Sequence, residues 1–141
     1  MREILFRAKR IDNGEWVEGS FIDSGNHEQV FIYPHYDGAS TMPCRSLVYH
    51  RMIAVDPNTI CQYTGLTDKA GNKIWENDLL LLEDRIVRIE WWKHSAGFDC
   101  IFEKSLDNKM NTPFRGIYPQ QYKHYEVIGN IFDNADLLKG E

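Results

Sequence analysis

Glu76 and Asp78 lie two residues apart, and Glu83 and Asp84 follow closely. Paired carboxylates can exchange protons with a substrate or hold a hard cation. Here the first pair falls in a turn and the second beside a strand end, positions better suited to turn capping and to a solvated face. A glycosidase-type pair would also need a cleft. The five histidines, His27, His35, His50, His94 and His124, share no ligand spacing and fall mostly in loops, so no metal site is expected. Cys44, Cys61 and Cys100 form no CxxC pair. Zinc and a disulfide framework are both disfavoured, and reduced, partly buried thiols fit best. Cys100 with His94 or His124 would supply a nucleophile and a base. Cys100 alternates with Phe98 and Phe102, however, which puts it on a core face as an inert thiol. No catalytic residue and no cofactor are expected, so the chain does not read as an enzyme.

Binding chemistry is the more promising reading. Trp91 and Trp92 point to opposite sides of a regular strand, so one of them is exposed or covered by something else. Large aromatics covered by a second chain are common interface anchors. Arg88 and Lys93 flank them, so Trp91, Trp92, Arg88 and Lys93 form the candidate contact set. Tyr118, Tyr122 and Tyr125 add amphipathic surface. Stacking on single-stranded nucleic acid is a weaker alternative, because the net charge is −5 and phosphates call for clustered cations. The opening segment is a local exception: Arg2, Arg7, Lys9 and Arg10 face only Glu3. Charges on an edge strand discourage edge-to-edge pairing, and that explains the run without a phosphate.

These side chains must be held by a core. A chain of 141 residues with 43% apolar content builds one ordinary domain, with Asp56 as the place where it could divide. Segment MREILFRAKR lacks the apolar centre of a signal peptide, and the run Leu79 to Leu82 is too short to span a bilayer. A soluble, intracellular protein with no membrane role is expected.

Period-two alternation marks Glu3 to Ile11, with Ile4, Phe6 and Ala8 on one face. Asp12-Asn13-Gly14 turns the chain into Glu15 to Ile22, Asn-Gly being tolerant of positive φ at both positions. Gln29 to Tyr33 is a short strand ended by Pro34. His35 to Pro43 reads as a surface loop, and Ser46 to Val55 as a strand or an irregular approach. Asp56 and Pro57 start a compact turn, the carboxylate accepting backbone N–H groups and Pro57 presetting φ. Thr59 to Leu66 runs extended, Gly65 permitting a bulge. Asp68 and Gly71 turn it, Gly71 left-handed. Lys73 to Leu82 returns, Asn77 left-handed and Asp78 bonding nearby amides. Arg85 to Lys93 and Phe98 to Glu103 form another hairpin. Leu106 to Tyr122 reads as a long loop. Tyr125 to Phe132 is a last strand interrupted by Gly129, and Asp133-Asn134 caps a short helix, Ala135 to Lys139. The sum is a mainly β, compact single domain of meander or barrel-like hairpins, open to an SH3-like barrel element, with a short C-terminal helix. No internal repeat is visible.

Three blocks, MREILFRAKRIDNGEWV, VDPNTICQYTGLTDKAGNKIWENDLLLL and YEVIGNIFDNADLL, resemble the YopX family of small phage and prophage proteins. The central block is the specific one: Gln62-Tyr63-Thr64-Gly65-Leu66, then Asp68, Gly71, Ile74 and Asp78 in register. The family usually carries a bulky residue near Lys9 and Gly where this chain has Asn77, a change that keeps the left-handed requirement. The resemblance implies a phage origin, hence the cytoplasm of a bacterial host, a compact β-rich fold and self-association. It implies no catalytic residues. The expectation is a non-catalytic, self-associating β binding module, with itself or a phage or host protein as partner. The alternatives are a small nucleic-acid-associated regulator using the basic N-terminal strand and the Trp91-Trp92 strand, or an enzyme of unknown class.

Overall fold

Alternation of apolar and polar residues becomes strands wherever one face can be buried. The computed structural model describes residues 2–35, 45–107, 109–110, 114–117 and 124–139, and it is mainly β. The chain divides into two compact units, Met1–Tyr63 and Thr64–Glu141. The division falls inside a strand, a few residues beyond Asp56.

In the first unit, β1 (Phe6–Lys9), β2 (Trp16–Asp23), β3 (Val30–Pro34) and β4 (Ile53–Val55) form an antiparallel meander. The strand β5 (Cys61–Thr67) returns to pair with β1 through Phe6↔Gln62 and Arg7↔Cys61. The faces follow the alternation. Ala8, Val30, Ile32 and Val55 are buried together, with Phe6, Val17 and Phe21 packed on them. Ile4 departs from the expected face: it precedes β1 and is exposed, and Leu5 is buried instead. The β1–β2 turn is also looser than Asn-Gly suggests. Only Gly14 is left-handed, at φ 74, and Arg10 N donates to Glu15 O across the loop.

The stretch expected as strand or irregular chain contains a seven-residue helix, α1 (Arg45–Arg51), ahead of β4. His50 and Arg51 in its last turn suit the negative end of the helix dipole. Asp56 then caps a 3₁₀ turn, Pro57–Thr59, accepting from Asn58 N at 3.0 Å. Asp56 N donates to Lys9 O, and Lys9 N donates to Thr59 Oγ1 at 2.9 Å, so the turn is stapled to β1. A single antiparallel bridge, Arg10↔Val55, links β4 to the chain beyond β1. Neither ladder closes into a barrel among the described residues.

In the second unit, Lys73 to Leu82 is not one return strand. It breaks into β6 (Lys73–Trp75), which joins the end of β5, and β7 (Asp78–Leu82), which starts a separate sheet. The break sits at Asn77, left-handed at φ 70, and Asp78 is buried with an oxygen accepting from Trp75 N at 2.8 Å. Gly65 and Gly71 are left-handed as well, at φ 87 and 85. Asn77→Gly is expected to change stability by less than about 0.5 kcal/mol. Asn77→Val should cost about 2 kcal/mol, since a β-branched residue is strained there. Equal thermal midpoints for the two variants would remove this account of the break.

The second sheet runs β10-β9-β8-β7-β11, with β8 (Arg85–Trp92), β9 (Gly97–Ser105), β10 (Phe114–Ile117) and β11 (Glu126–Asn130). Strand β10 lies within the segment expected to be a long loop, and it pairs with β9. Ala96, at φ 52, supplies the left-handed residue of the β8–β9 turn. Strand β11 is bulged between Val127 and Gly129. The expected C-terminal helix is a 3₁₀ turn, Ala135–Leu138. Its Asn134 does not cap it, because Asn134 Oδ1 accepts from Asn130 N instead. Ile74, Leu80, Val87, Ile89, Cys100 and Tyr125 form the core. Cys44, Tyr118, Tyr122 and most of the loop expected over His35 to Pro43 lie outside the described residues.

Candidate functional site

Strand β8 is the element that places the candidate contact residues. Along it Val87, Ile89 and Trp91 share a face, opposite Phe102, Cys100 and Phe98 of β9. That face is core as far as Ile89 and Cys100. Trp91 continues it past the core and is 46% exposed. Its ring meets Phe98 edge-on, centroids 5.2 Å apart and planes at 74°, a favoured aromatic geometry. Trp92 is on the other face, half-buried, with its ring 4.7 Å from that of His94.

The four candidate residues are therefore not one cluster. Arg88 shares the Trp92 face, where Nε donates to Glu103 Oε1 at 2.8 Å and Nη2 lies 3.7 Å from Glu90. Two carboxylates hold this guanidinium, so it is not a ready phosphate ligand. Lys93 is exposed in the turn. Trp91 and Phe98, with Lys93 and His94 beyond them, make the tip of the β8–β9 hairpin. Phe98 as the neighbour of Trp91 and Glu103 as the partner of Arg88 were not foreseen. The Glu90↔Asp99 register would have given both, and it needs only the turn length.

The basic N-terminal strand is also engaged. The guanidinium of Arg7 stands 4.6 Å from the Trp16 ring centre and Lys9 Nζ 5.4 Å. Arg10 binds Asp12 through two bonds, 2.9 and 2.7 Å, which raises the pKa of Arg10 and lowers that of Asp12. A crevice of about 310 Å³ lies between Arg10, Ile11 and Asp12 on one side and Met52, Ile53 and Ala54 on the other.

Groups considered for catalysis are dispersed. Cys61 and Cys100 are buried thiols, and the Cys61 thiol donates to Thr59 O at 3.3 Å. Burial, helped by Asp99, pushes the Cys100 thiol up to about 11, so it is protonated and unreactive at neutral pH. Burial, with the neighbouring Cys100 thiol, also raises Tyr125, whose hydroxyl is fully enclosed. His27 contacts Asp23, His35 contacts Ser20, and His94 meets Trp92 edge-on. Among the described residues no three metal-ligating side chains converge, and no helix is long and apolar enough to cross a membrane.

Two antiparallel ladders, one carrying an exposed aromatic hairpin tip, define a mainly β protein. The YopX protein family model matches residues 5–139, and the chain belongs to the YopX family. No match is found among the curated proteins.

Proposed function

We propose that this chain is a phage- or prophage-encoded, non-catalytic binding module that self-associates in the host cytoplasm through the Trp91–Phe98 tip. The observation that carries this is the exposure of Trp91 beyond the end of a packed core face. A rigid indole on a two-stranded tip loses little entropy on being covered and contributes much area. Pairing through the outer edge of β11 is a poor alternative. Asp68 Oδ2 accepts from Val127 N at 2.9 Å, Lys69 N donates to Tyr125 O, and Asn134 takes Asn130 N. An edge so covered offers little to a second strand.

The first unit supports a finer fold reading, an SH3-like barrel. Its strand order is β4-β3-β2-β1-β5, a 3₁₀ turn precedes the last strand, and the Arg10↔Val55 bridge draws β4 to the end of β1, although no ladder among the described residues joins β4 to β5. The paired states of Arg10 and Arg88 weigh against a nucleic-acid role. A phage or host protein remains the second kind of partner for the tip.

Light scattering tests the reading. The wild type is expected to show a multiple of 16.5 kDa at micromolar concentration. Trp91→Ala should weaken association by about 2 kcal/mol, close to thirtyfold in Kd. A monomeric wild type throughout that range would end the self-association reading. Salt-sensitive capture of a single-stranded oligonucleotide would favour the nucleic-acid alternative.

A further inference from the structure

The two units repeat one topology. In the first sheet β1 to β5, taken in chain order as one to five, stand side by side as four-three-two-one-five, with β6 added outside β5. In the second, β7, β8, β9, β10 and β11 stand in the same order, four-three-two-one-five. Every pairing in both is antiparallel. A meander of four strands follows from pairing each strand with its predecessor, although the link from third to fourth strand carries α1 in the first copy. A fifth strand that crosses back to the free edge of the first does not, and here it occurs twice.

Smaller features recur at matching places. The second strand has eight residues in both units. Each turn between first and second strand holds a left-handed residue, Gly14 or Glu83, and so does each turn between second and third, His27 or Ala96. Thr59 closes a 3₁₀ turn before one fifth strand, and His124 has 3₁₀ conformation before the other. Each fifth strand contains a glycine of positive φ, Gly65 or Gly129. The two buried clusters share no residue.

We infer that the chain is a tandem of two copies of one five-stranded module, residues 6–67 and 78–130, with separate buried clusters, the second of which also takes Ile74 of the linking β6 and is packed by Leu66 from the end of β5. The last strand-two to strand-three pairs differ in face: Trp91↔Phe98 continues the core face of Val87 and Ile89 in the second copy, whereas Ile22↔Phe31 in the first lies on the face opposite Val17, Phe21 and Ile32. The aromatic tip therefore belongs to the second copy. The duplication itself stands whether or not that tip mediates self-association.

Native-state hydrogen exchange on the full chain tests the inference, with one core substitution per copy. Ile32→Ala should speed exchange of β1–β3 amides at least about tenfold and leave β7–β9 amides within about twofold; Val87→Ala should do the reverse. Equal acceleration of both ladders by either variant would show one cooperative unit and overturn the inference. Should Ile32→Ala fail to fold, Ile32→Val gives the same comparison with a smaller response. Missing nuclear Overhauser contacts between Leu80 and Val127 would overturn the shared strand order directly.

Discussion

Asp68→Ala is expected to destabilise the protein by about 3 kcal/mol or more, because a buried acceptor is removed and its donors stay behind. The carboxylate is 5% exposed. It accepts from Ala70 N at 3.0 Å, Asn72 N at 2.8 Å, Asn72 Nδ2 at 3.3 Å and Val127 N at 2.9 Å. Three of these bonds shape the turn between β5 and β6. The fourth ties that turn to the outer edge of β11, and Lys69 N → Tyr125 O lies beside it. Loss of the side chain therefore loosens a turn and uncovers a strand edge together.

Burial alone would raise the Asp68 carboxyl, but the bonds from Val127, Asn72 and Ala70 outweigh it and hold the pKa below the ordinary 3.8. A depressed carboxyl contributes stability that is present above its unfolded value and is lost as pH falls through its folded value. The stability gap between wild type and Asp68→Asn should thus be widest near neutrality and shrink below about pH 4. Urea midpoints across that range check it. A gap that stays constant on acidification would mean the ionised carboxylate is not what holds the turn.

Local chemistry was legible in the sequence, and long-range register was not. The alternating runs became β1, β2, β8 and β9. Gly71 and Asn77 are left-handed because few residues tolerate that conformation, and Asp56-Pro57 made the capped turn that its chemistry requires. The helix α1 escaped notice since seven residues show too little of a 3.6-residue period. Strand β10 is short and lies among polar residues, so its pairing with β9 had no local signal. Asp68 was legible as a turn residue, yet Val127 is 59 positions away. Alternation assigned Trp91 and Trp92 to opposite faces but could not tell which face loses its core first. The duplication left no clear sequence repeat, because strand order is set by pairing and packing, which many sequences satisfy.

Gly19→Ala is the substitution expected to damage the first unit most, at about 4 kcal/mol or more. Gly19 is a buried residue in the middle of β2, paired with Phe6 of β1 and Pro34 of β3. A Cβ built there would stand 2.0 Å from Tyr33 O, 2.7 Å from Tyr33 C and 2.8 Å from Pro34 Cα. All three atoms are backbone, so no side-chain rotation relieves the clash and β2 must move away from β3. Gly14→Ala is the control. Gly14 is left-handed at φ 74 with open space around it, so its loss should cost only about 1 kcal/mol of backbone strain. Chemical denaturation followed by circular dichroism separates the two effects. A Gly19→Ala midpoint close to that of Gly14→Ala would show that the strands do not approach so closely. The expected large difference would locate the constraint in the Gly19↔Pro34 pair, where one residue has no Cβ to place and the other no N–H to donate.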